Sequence, residues 1–421
     1  MSTGSGPQSI TDQDETAAAG RPERSSLEAR LLRRLLSSLG DPPIEFHLAW
    51  SGERIAPVAV QATERVRVAD RATLRGLLTD TQIRFGDGYS TGQIEIEGDL
   101  VRFMETVFQG LNRPSARETI AARVAGWLHR PRRNTLSGSR DNIHQHYDLG
   151  NEFYSLWLGD TMAYTCAYYP TSEATLDQAQ VAKMDHVCRK LRIAANDRVV
   201  EAGCGWGSLA LHIAGRYGAN VRAFNISKEQ LEFARHRARA LGLAHRVEFV
   251  EDDYRNIREN SDVFVSVGML EHVGLDHYPD LGRVICRSLS SEGRGLIHSI
   301  GRNRPGLLHP WIERRIFPGA YPPSLGEMMQ IFEPWGLSVL DVENLRLHYA
   351  RTCRHWLERY DAVSDKVLAM FSDESFVRTW RLYLAGSIAA FNTGSLQLFQ
   401  VLFTKQENNE IPLTREYMYS K

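Results

Sequence analysis

No excess of either charge marks this chain: 50 lysines and arginines stand against 51 aspartates and glutamates. That balance excludes an overall basic field for nucleic acid, so any attraction to an anionic surface must be local. Cysteine is scarce. Cys166, Cys188, Cys204, Cys286 and Cys353 are five in number, scattered and without metal-ligand spacing, which fits reduced thiols in a cytosol better than a disulfide framework or a metal site. Long apolar runs are missing too. Stretches such as Leu382–Phe391 fall far short of the ~20 residues a bilayer-spanning helix needs. Residues 1–26 are dominated by Ser, Thr, Gly, Asp and Glu and hold no apolar core, so they read as a disordered tail, neither signal peptide nor anchor. What remains, in 421 residues of 43% hydrophobic composition, is enough for two or three domains with a sizeable core.

Periodicity divides the chain. Residues 27–127 read as a small α+β unit: helical spacing over Leu27–Leu39, strands at Ile44–Trp50, Ala56–Ala62 and Arg65–Val68, helices at Arg71–Thr79 and Leu100–Leu111, and a glycine-rich hairpin-like stretch over Phe85–Ile94. Residues 128–140 carry Arg130, Arg132, Arg133 and Arg140 without an acid. They read as a solvated linker or as a basic patch for anionic lipid head groups, where each charge is worth about 1 kcal/mol. From Arg198 onward, strand-like segments (Arg198–Ala202, Asn220–Asn225, Val247–Glu251, Val263–Val267, Gly295–Ile300) alternate with helical ones (Ser208–Tyr217, Lys228–Ala240, Tyr278–Leu289). This rhythm predicts an α/β fold with a parallel sheet wound on both faces, closed by strands at Leu337–Val342 and Leu396–Phe403.

Gly203-Cys-Gly-Trp-Gly207 lies between the first of these strands and its helix. Glycines there let the backbone turn sharply and approach a ligand beyond the carboxyl end of the sheet. The spacing is not that of a pyrophosphate-binding loop. A ligand without phosphates fits better, held by close backbone and by polar groups such as Asn225 and Gln230 after the second strand; S-adenosylmethionine is one. Asp252, after the third strand, is placed where an acid contacts adenine, although an acidic pair there also suits a solvated turn.

Together with these segments, His146–Tyr154, Tyr164–Tyr169, Ile226–Gln230, Asp253–Arg255, Ser266–Gly274 and His298–Gly301 resemble, in order, the cyclopropane fatty acid synthase family, which includes the mycolic acid cyclopropane synthases. The likeness runs from about residue 141 to the C-terminus and is weaker over residues 27–127, which resemble the extra domain of the phospholipid-acting branch. It implies a doubly wound, Rossmann-like class I methyltransferase fold for residues 141–421. It also implies an S-adenosylmethionine site lined by Tyr164, Thr165, Glu201, Gly203, Gly205, Asn225, Gln230 and Asp252, and a bicarbonate site formed by Cys166, Glu271, His298, Ile300 and Tyr349. Glu201 stands where the family usually has Asp, Asn225 where Thr is common, and Ser387 where a further cysteine aligns. The resemblance further implies an enzyme that reaches phospholipid from the cytoplasmic side as a peripheral protein, and a homodimer formed through the small domain.

The chemistry explains why such groups are needed. An isolated alkene is a weak nucleophile, so alignment in a dry pocket must supply much of the acceleration. Methyl transfer leaves a carbocation, and ring closure then requires loss of a proton from the new methyl. In that reading Glu271 accepts from the bicarbonate hydroxyl, while His298, Tyr349 and backbone N–H groups near Cys166 and Ile300 donate. Each residue has a plainer alternative: Glu271 as a helix cap, His298 as a satisfied core histidine, Cys166 as a small apolar residue, Tyr349 as packing. Rival products are methyl- or methylene-branched chains; rival functions are a small-molecule methyltransferase and a catalytically silent lipid-binding protein. Trp311, Ile312, Ile316 and Phe317, at helical spacing with Arg314 and Arg315 between them, read either as an amphipathic lid or as a stripe packed on the domain.

Overall fold

The computed structural model describes residues 26–58, 60–112 and 149–419. The expected tail over 1–25, the boundary near 127, the basic linker 128–140 and residues 146–148 of the His146–Tyr154 motif lie outside the described residues. Ser26 does not belong to a tail. It caps the helix Leu27–Ser38, its Oγ accepting from the Ala29 N–H at 3.0 Å.

The N-terminal unit is built on a four-stranded sheet of β1 (Ile44–Leu48), β2 (Arg54–Ile55), β3 (Glu64–Val68) and β4 (Ile94–Glu97), in the order β2-β1-β3-β4. In β1 and β3 every second residue is buried, the pattern of a sheet with one face on a core. Helices Arg71–Thr79, Thr81–Ser90 and Leu100–Asn112 cover that face.

Two expectations fail here. The strand expected over 56–62 is not formed among the described residues there; a two-residue strand, Arg54–Ile55, precedes it. The hairpin expected over 85–94 is the end of the helix Thr81–Ser90 followed by β4. The Asp80 carboxylate caps that helix through the Ile83 N–H, and the glycines serve packing instead of turning. A Cβ on Gly86 would lie 2.4 Å from the Trp311 indole nitrogen, and one on Gly88 would lie 2.8 Å from Ile94 Cδ1.

The larger unit has the expected α/β architecture. β5 (Arg198–Ala202), β6 (Asn220–Asn225), β7 (Val247–Glu251), β8 (Ser261–Val267), β9 (Leu289–Gly301), β10 (Leu337–Asn344) and β11 (Gln397–Lys405) form a seven-stranded sheet in the order β10-β11-β9-β8-β5-β6-β7. Only β11 runs antiparallel to its neighbours. Alternation distributes the strand residues to two cores. Val199, Val221 and Val263 pack under the helices Leu176–Lys190 and Lys228–Ala240. Val200, Phe224 and Phe264 pack under Tyr278–Ser288.

Between β10 and β11 the chain inserts the helices Arg346–Ala362, Ser364–Phe371 and Glu374–Asn392, which the strand–helix rhythm did not announce. They share one core with the N-terminal unit. Its centre is aromatic: Phe153, Trp157 and Trp380 are mutually within 5.8 Å between ring centroids. Polar ties flank it, Arg378 Nε to the Tyr89 carbonyl at 2.6 Å and Thr379 Oγ1 to Ser90 Oγ at 2.8 Å.

The short helix Pro310–Arg315 packs on Thr81–Ser90, with Trp311 and Ile316 buried and Arg315 paired to Asp87 at 2.9 Å. Its apolar stripe is a wall between the two units and not a free lid. Gly86→Ala tests that wall. Helix propensity favours alanine by about 1 kcal/mol, but overpacking against the indole costs about 1–3 kcal/mol. The urea midpoint is expected to fall; a raised midpoint would show that the Trp311 ring yields freely.

Candidate active site

The carboxyl ends of β5, β6, β7 and β8 open onto one cavity of about 150 Å³, lined among others by Glu201, Gly203, Gly205, Asn225, Gln230, Asp252, Tyr164 and Thr165. All eight residues expected at the S-adenosylmethionine site therefore face the same space. The loop after β5 is held by Gly203 N–H and Cys204 N–H, both donating to the Phe224 carbonyl at 2.9 and 3.0 Å. Gly203 has φ +81°, and a Cβ there would meet Met269 at 2.8 Å, so glycine is required on two counts. Asn225 Nδ2 donates to Gln230 Oε1 at 2.8 Å, which joins the end of β6 to its helix. Asp252 Oδ1 accepts from its neighbour's N–H and from Asn256 Nδ2, both at 2.7 Å, leaving Oδ2 for a ligand.

Two buried charges in this cavity point to a zwitterion. Lys183 lines it, 2% exposed, and donates to Thr165 Oγ1 at 2.8 Å. Glu201, also 2% exposed, keeps its Oε2 without a hydrogen-bond partner. Burial pulls the Lys183 ammonium down to about 8 and pushes the Glu201 carboxyl up to about 8; a ligand carrying the complementary charges would relieve both. The α-carboxylate and α-ammonium of S-adenosylmethionine are such a pair. Lys183 escaped sequence reasoning, although a lysine on the buried stripe of Leu176–Lys190, beside Gln180 and Val187, was a usable signal.

A second cavity, about 790 Å³, meets the first: Tyr164, Thr165, Gly268 and His272 line both. Gly268 sits at the junction, where a Cβ would come within 2.9 Å of Thr165 Cγ2. The second cavity is mainly apolar. Phe85, Met104 and Phe108 come from the N-terminal unit, Leu382, Tyr383 and Phe391 from the inserted helix, and Trp311 and Phe317 from the wall between. The N-terminal unit, for which lipid contact is the expectation, thus builds one side of the cavity.

Glu271, His298, Ile300 and Tyr349 face this cavity together; Cys166 does not line it. Cys166 lies fully buried behind Tyr349, its thiol directed to the Ala167 carbonyl at 3.2 Å and held protonated by burial. The Ile300 N–H, expected to donate to an anion, donates to Glu271 Oε1 at 2.6 Å. It therefore orients the carboxylate, whose Oε2 has no hydrogen-bond partner among the described residues. Burial pushes Glu271 up to about 7.

His298, on β9, pairs in register with Gln400 on β11. Gln400 Nε2 donates to His298 Nδ1 at 3.1 Å, and burial holds the imidazole neutral, its pKa down to about 3. The neutral ring then carries its proton on Nε2, which is also without a partner. Gln400 was missed as well; its signal was a glutamine inside an otherwise apolar strand. Tyr349, stacked on Phe391 at 4.5 Å, keeps its phenol protonated because burial pushes it well up. Ser387 lines the cavity but turns its hydroxyl back to the Tyr383 carbonyl at 2.8 Å.

An unsatisfied acceptor and an unsatisfied donor thus line one mainly apolar cavity. A small anion with one hydroxyl has the matching chemistry, a donor for Glu271 and an acceptor for His298. Bicarbonate fits that donor–acceptor set.

Known proteins resemble this chain over most of its length. The family model described as mycolic acid cyclopropane synthetase matches residues 135–401. A probable fatty acid methyltransferase of Pseudomonas putida is 37% identical over 82% of this chain and 89% of its own length. The cyclopropane-fatty-acyl-phospholipid synthase of Escherichia coli K12 is 33% identical over 83% of this chain and 90% of its own. The crystal structure of mycolic acid cyclopropane synthase CmaA1, in complex with SAH and CTAB, superposes with a TM-score of 0.60 at 28% identity, over 63% of this chain and 98% of that one.

The zwitterion assignment is testable by calorimetry. Lys183→Met is expected to weaken S-adenosylhomocysteine at least ~10-fold, about 1.4 kcal/mol, and to leave methylthioadenosine, which lacks the amino-acid group, little changed. Equal losses for both ligands would reduce Lys183 to a structural role.

Proposed function

The chain belongs to the mycolic acid cyclopropane synthetase family, and from that premise we propose that it is a cyclopropane-fatty-acyl-phospholipid synthase. It transfers a methylene unit from S-adenosylmethionine to the cis double bond of an unsaturated acyl chain in a membrane phospholipid. The observation that carries the proposal is the unsatisfied pair, Glu271 Oε2 and His298 Nε2, in an apolar cavity that meets the nucleotide pocket at Thr165 and Gly268. Bound at these two places, S-adenosylmethionine supplies an electrophilic methyl and bicarbonate a proton acceptor.

This chain's residues do the rest. Glu201 and Lys183 hold the cofactor's amino-acid end. The apolar lining aligns the alkene and excludes water, which would otherwise quench the cation. Glu271, oriented by the Ile300 N–H, accepts the anion's hydroxyl hydrogen and keeps a basic oxygen free for the acyl chain. His298, its tautomer set by Gln400, and the protonated Tyr349 supply donors. The anionic chamber also stabilises positive charge developing on the acyl carbon.

The P. putida relative is named as a fatty acid methyltransferase, so the second reading is a branched product: the same cation, with the proton lost from a chain carbon. Among the described residues no helix is long and apolar enough to cross a membrane. We propose a peripheral approach to the inner membrane surface, as a homodimer.

Expression in a host lacking ring-bearing lipids, followed by lipid extraction and proton NMR, tests the product: upfield ring protons are expected, and vinyl protons would refute ring formation. Glu271→Gln should lower kcat by at least ~10²-fold, the lower range for a positioned proton-transfer group, with S-adenosylhomocysteine binding retained. Glu271 acts ionised and its carboxyl is raised to about 7. At saturating bicarbonate, kcat should therefore fall as pH drops through about 7 and level off above it; a profile flat from pH 6 to 8 would contradict the assigned role.

A further inference from the structure

Arg302 follows the end of β9 at Gly301, two residues after Ile300, and lines the acyl cavity. Beyond it the lining becomes exposed and polar, with Asn303 and Arg304. Its backbone is fixed: the Arg302 N–H donates to the Pro323 carbonyl at 2.8 Å, and a parallel bridge ties it to Ser324.

Among the described residues the guanidinium has no carboxylate partner, and its Nε, shut off from solvent, has no hydrogen-bond partner. Burial lowers its pKa, and the one opposing influence is the Tyr321 hydroxyl, not a carboxylate. Other arginines around the sheet are paired. Arg294, on the same strand, binds Asp197 at 2.6 Å, and Arg315, on the cavity wall, binds Asp87 at 2.9 Å. A guanidinium does not escape its charge by deprotonating, so a lone one in an apolar cavity carries an uncompensated desolvation cost. An anion with two oxygens relieves it, in the forked geometry that guanidinium offers to carboxylate and phosphate alike.

Resting on the reading of the cavity as an acyl site, we infer that Arg302 binds the phosphodiester of the lipid whose chain occupies the cavity, and so determines substrate class. The apolar depth takes the chain, the guanidinium takes the phosphate, and Asn303 and Arg304 lead out to water. Because the backbone of Arg302 is pinned to Ser324, the distance from phosphate to the Glu271–His298 chamber is set by the fold. Arg302 therefore also limits which double-bond positions reach the methyl.

The test compares dioleoyl phosphatidylcholine, dioleoylglycerol and free oleate in the same neutral detergent micelles, with wild type, Arg302→Ala and Arg302→Lys. Wild type is expected to show a KM for the phosphatidylcholine at least about tenfold below that for dioleoylglycerol. Arg302→Ala should raise the former to near the latter, and Arg302→Lys should recover part of the difference. S-adenosylhomocysteine binding should be unchanged in all three proteins, which also reports that each is folded. An unchanged KM in Arg302→Ala, or an equal rise for both lipids, overturns the inference while leaving the proposed reaction standing. Turnover of oleate but not phosphatidylcholine moves the anion from phosphodiester to carboxylate and overturns it too. Absence of turnover on all three lipids by wild type removes the proposed reaction and this inference together.

Discussion

The arrangement depends on one constraint: a carboxylate and a neutral imidazole are buried in the lining of one mainly apolar cavity, each with one polar atom left unsatisfied among the described residues. Such atoms are costly in a folded protein, and the surroundings maintain them deliberately. The Ile300 N–H is spent on one oxygen of Glu271 and so turns the other outward. Gln400 occupies His298 Nδ1 and so commits the proton to Nε2. Both constraints come from the sheet, because Ile300 and His298 lie on β9 and Gln400 stands opposite on β11. The antiparallel strand that closes the sheet is thus what fixes the tautomer in the chamber.

The second requirement is a water-free approach for a long apolar molecule. A doubly wound sheet alone offers only a crevice at its carboxyl edge. Here the crevice is roofed by the helices inserted between β10 and β11 and by the N-terminal unit, which share one continuous core with Trp157, Trp356 and Trp380 at its centre. That shared core explains why the glycines of Thr81–Ser90 are where they are. Gly86 lets the Trp311 ring press against the helix backbone, which joins the wall of the acyl cavity to the small domain. The nucleotide pocket rests mainly on the strand ends and their loops, with Tyr164, Thr165 and the helix residue Lys183 closing it.

That difference explains what was legible in the sequence. The strand–helix rhythm from Arg198 and the glycine loop at 203–207 are local signals, and the structure returns them nearly unchanged: Lys228–Ala240 is a helix over the expected residues. Glu271, His298 and Tyr349, placed by family resemblance and distant in sequence, line one cavity. Long-range packing was not legible. Phe85–Ile94 looks like a turn because glycine usually serves turns, and only the packing of Trp311 on Gly86 and of Ile94 on Gly88 shows that two of its glycines serve contact. Cys166 is drawn near Glu271 by motif but stands behind Tyr349. Lys183 and Gln400 are polar residues on apolar faces; they look like exceptions until the cavity that Lys183 lines and the His298 ring that Gln400 holds are known.

The two cavities impose different discipline on the chemistry, and the proposed reaction needs both. Methyl transfer is governed at the junction, where Gly268 has no side chain and Thr165, held by Lys183, forms the opposite edge. The fate of the cation is governed deeper, by where the basic oxygen of the anion lies relative to the new methyl and to the chain carbons beside it. Glu271 sets that position, since it controls which oxygen of the anion carries hydrogen. A family that shares the junction can therefore yield rings in one member and branches in another without altering the nucleotide pocket. Small shifts of the chain along the apolar cavity suffice, because they change which proton faces the base. In the proposed reaction such shifts would be resisted at the sheet edge, where Arg302 after β9 is tied to the Pro323 carbonyl and to Ser324, so control of the product would reside in the same strand that carries His298.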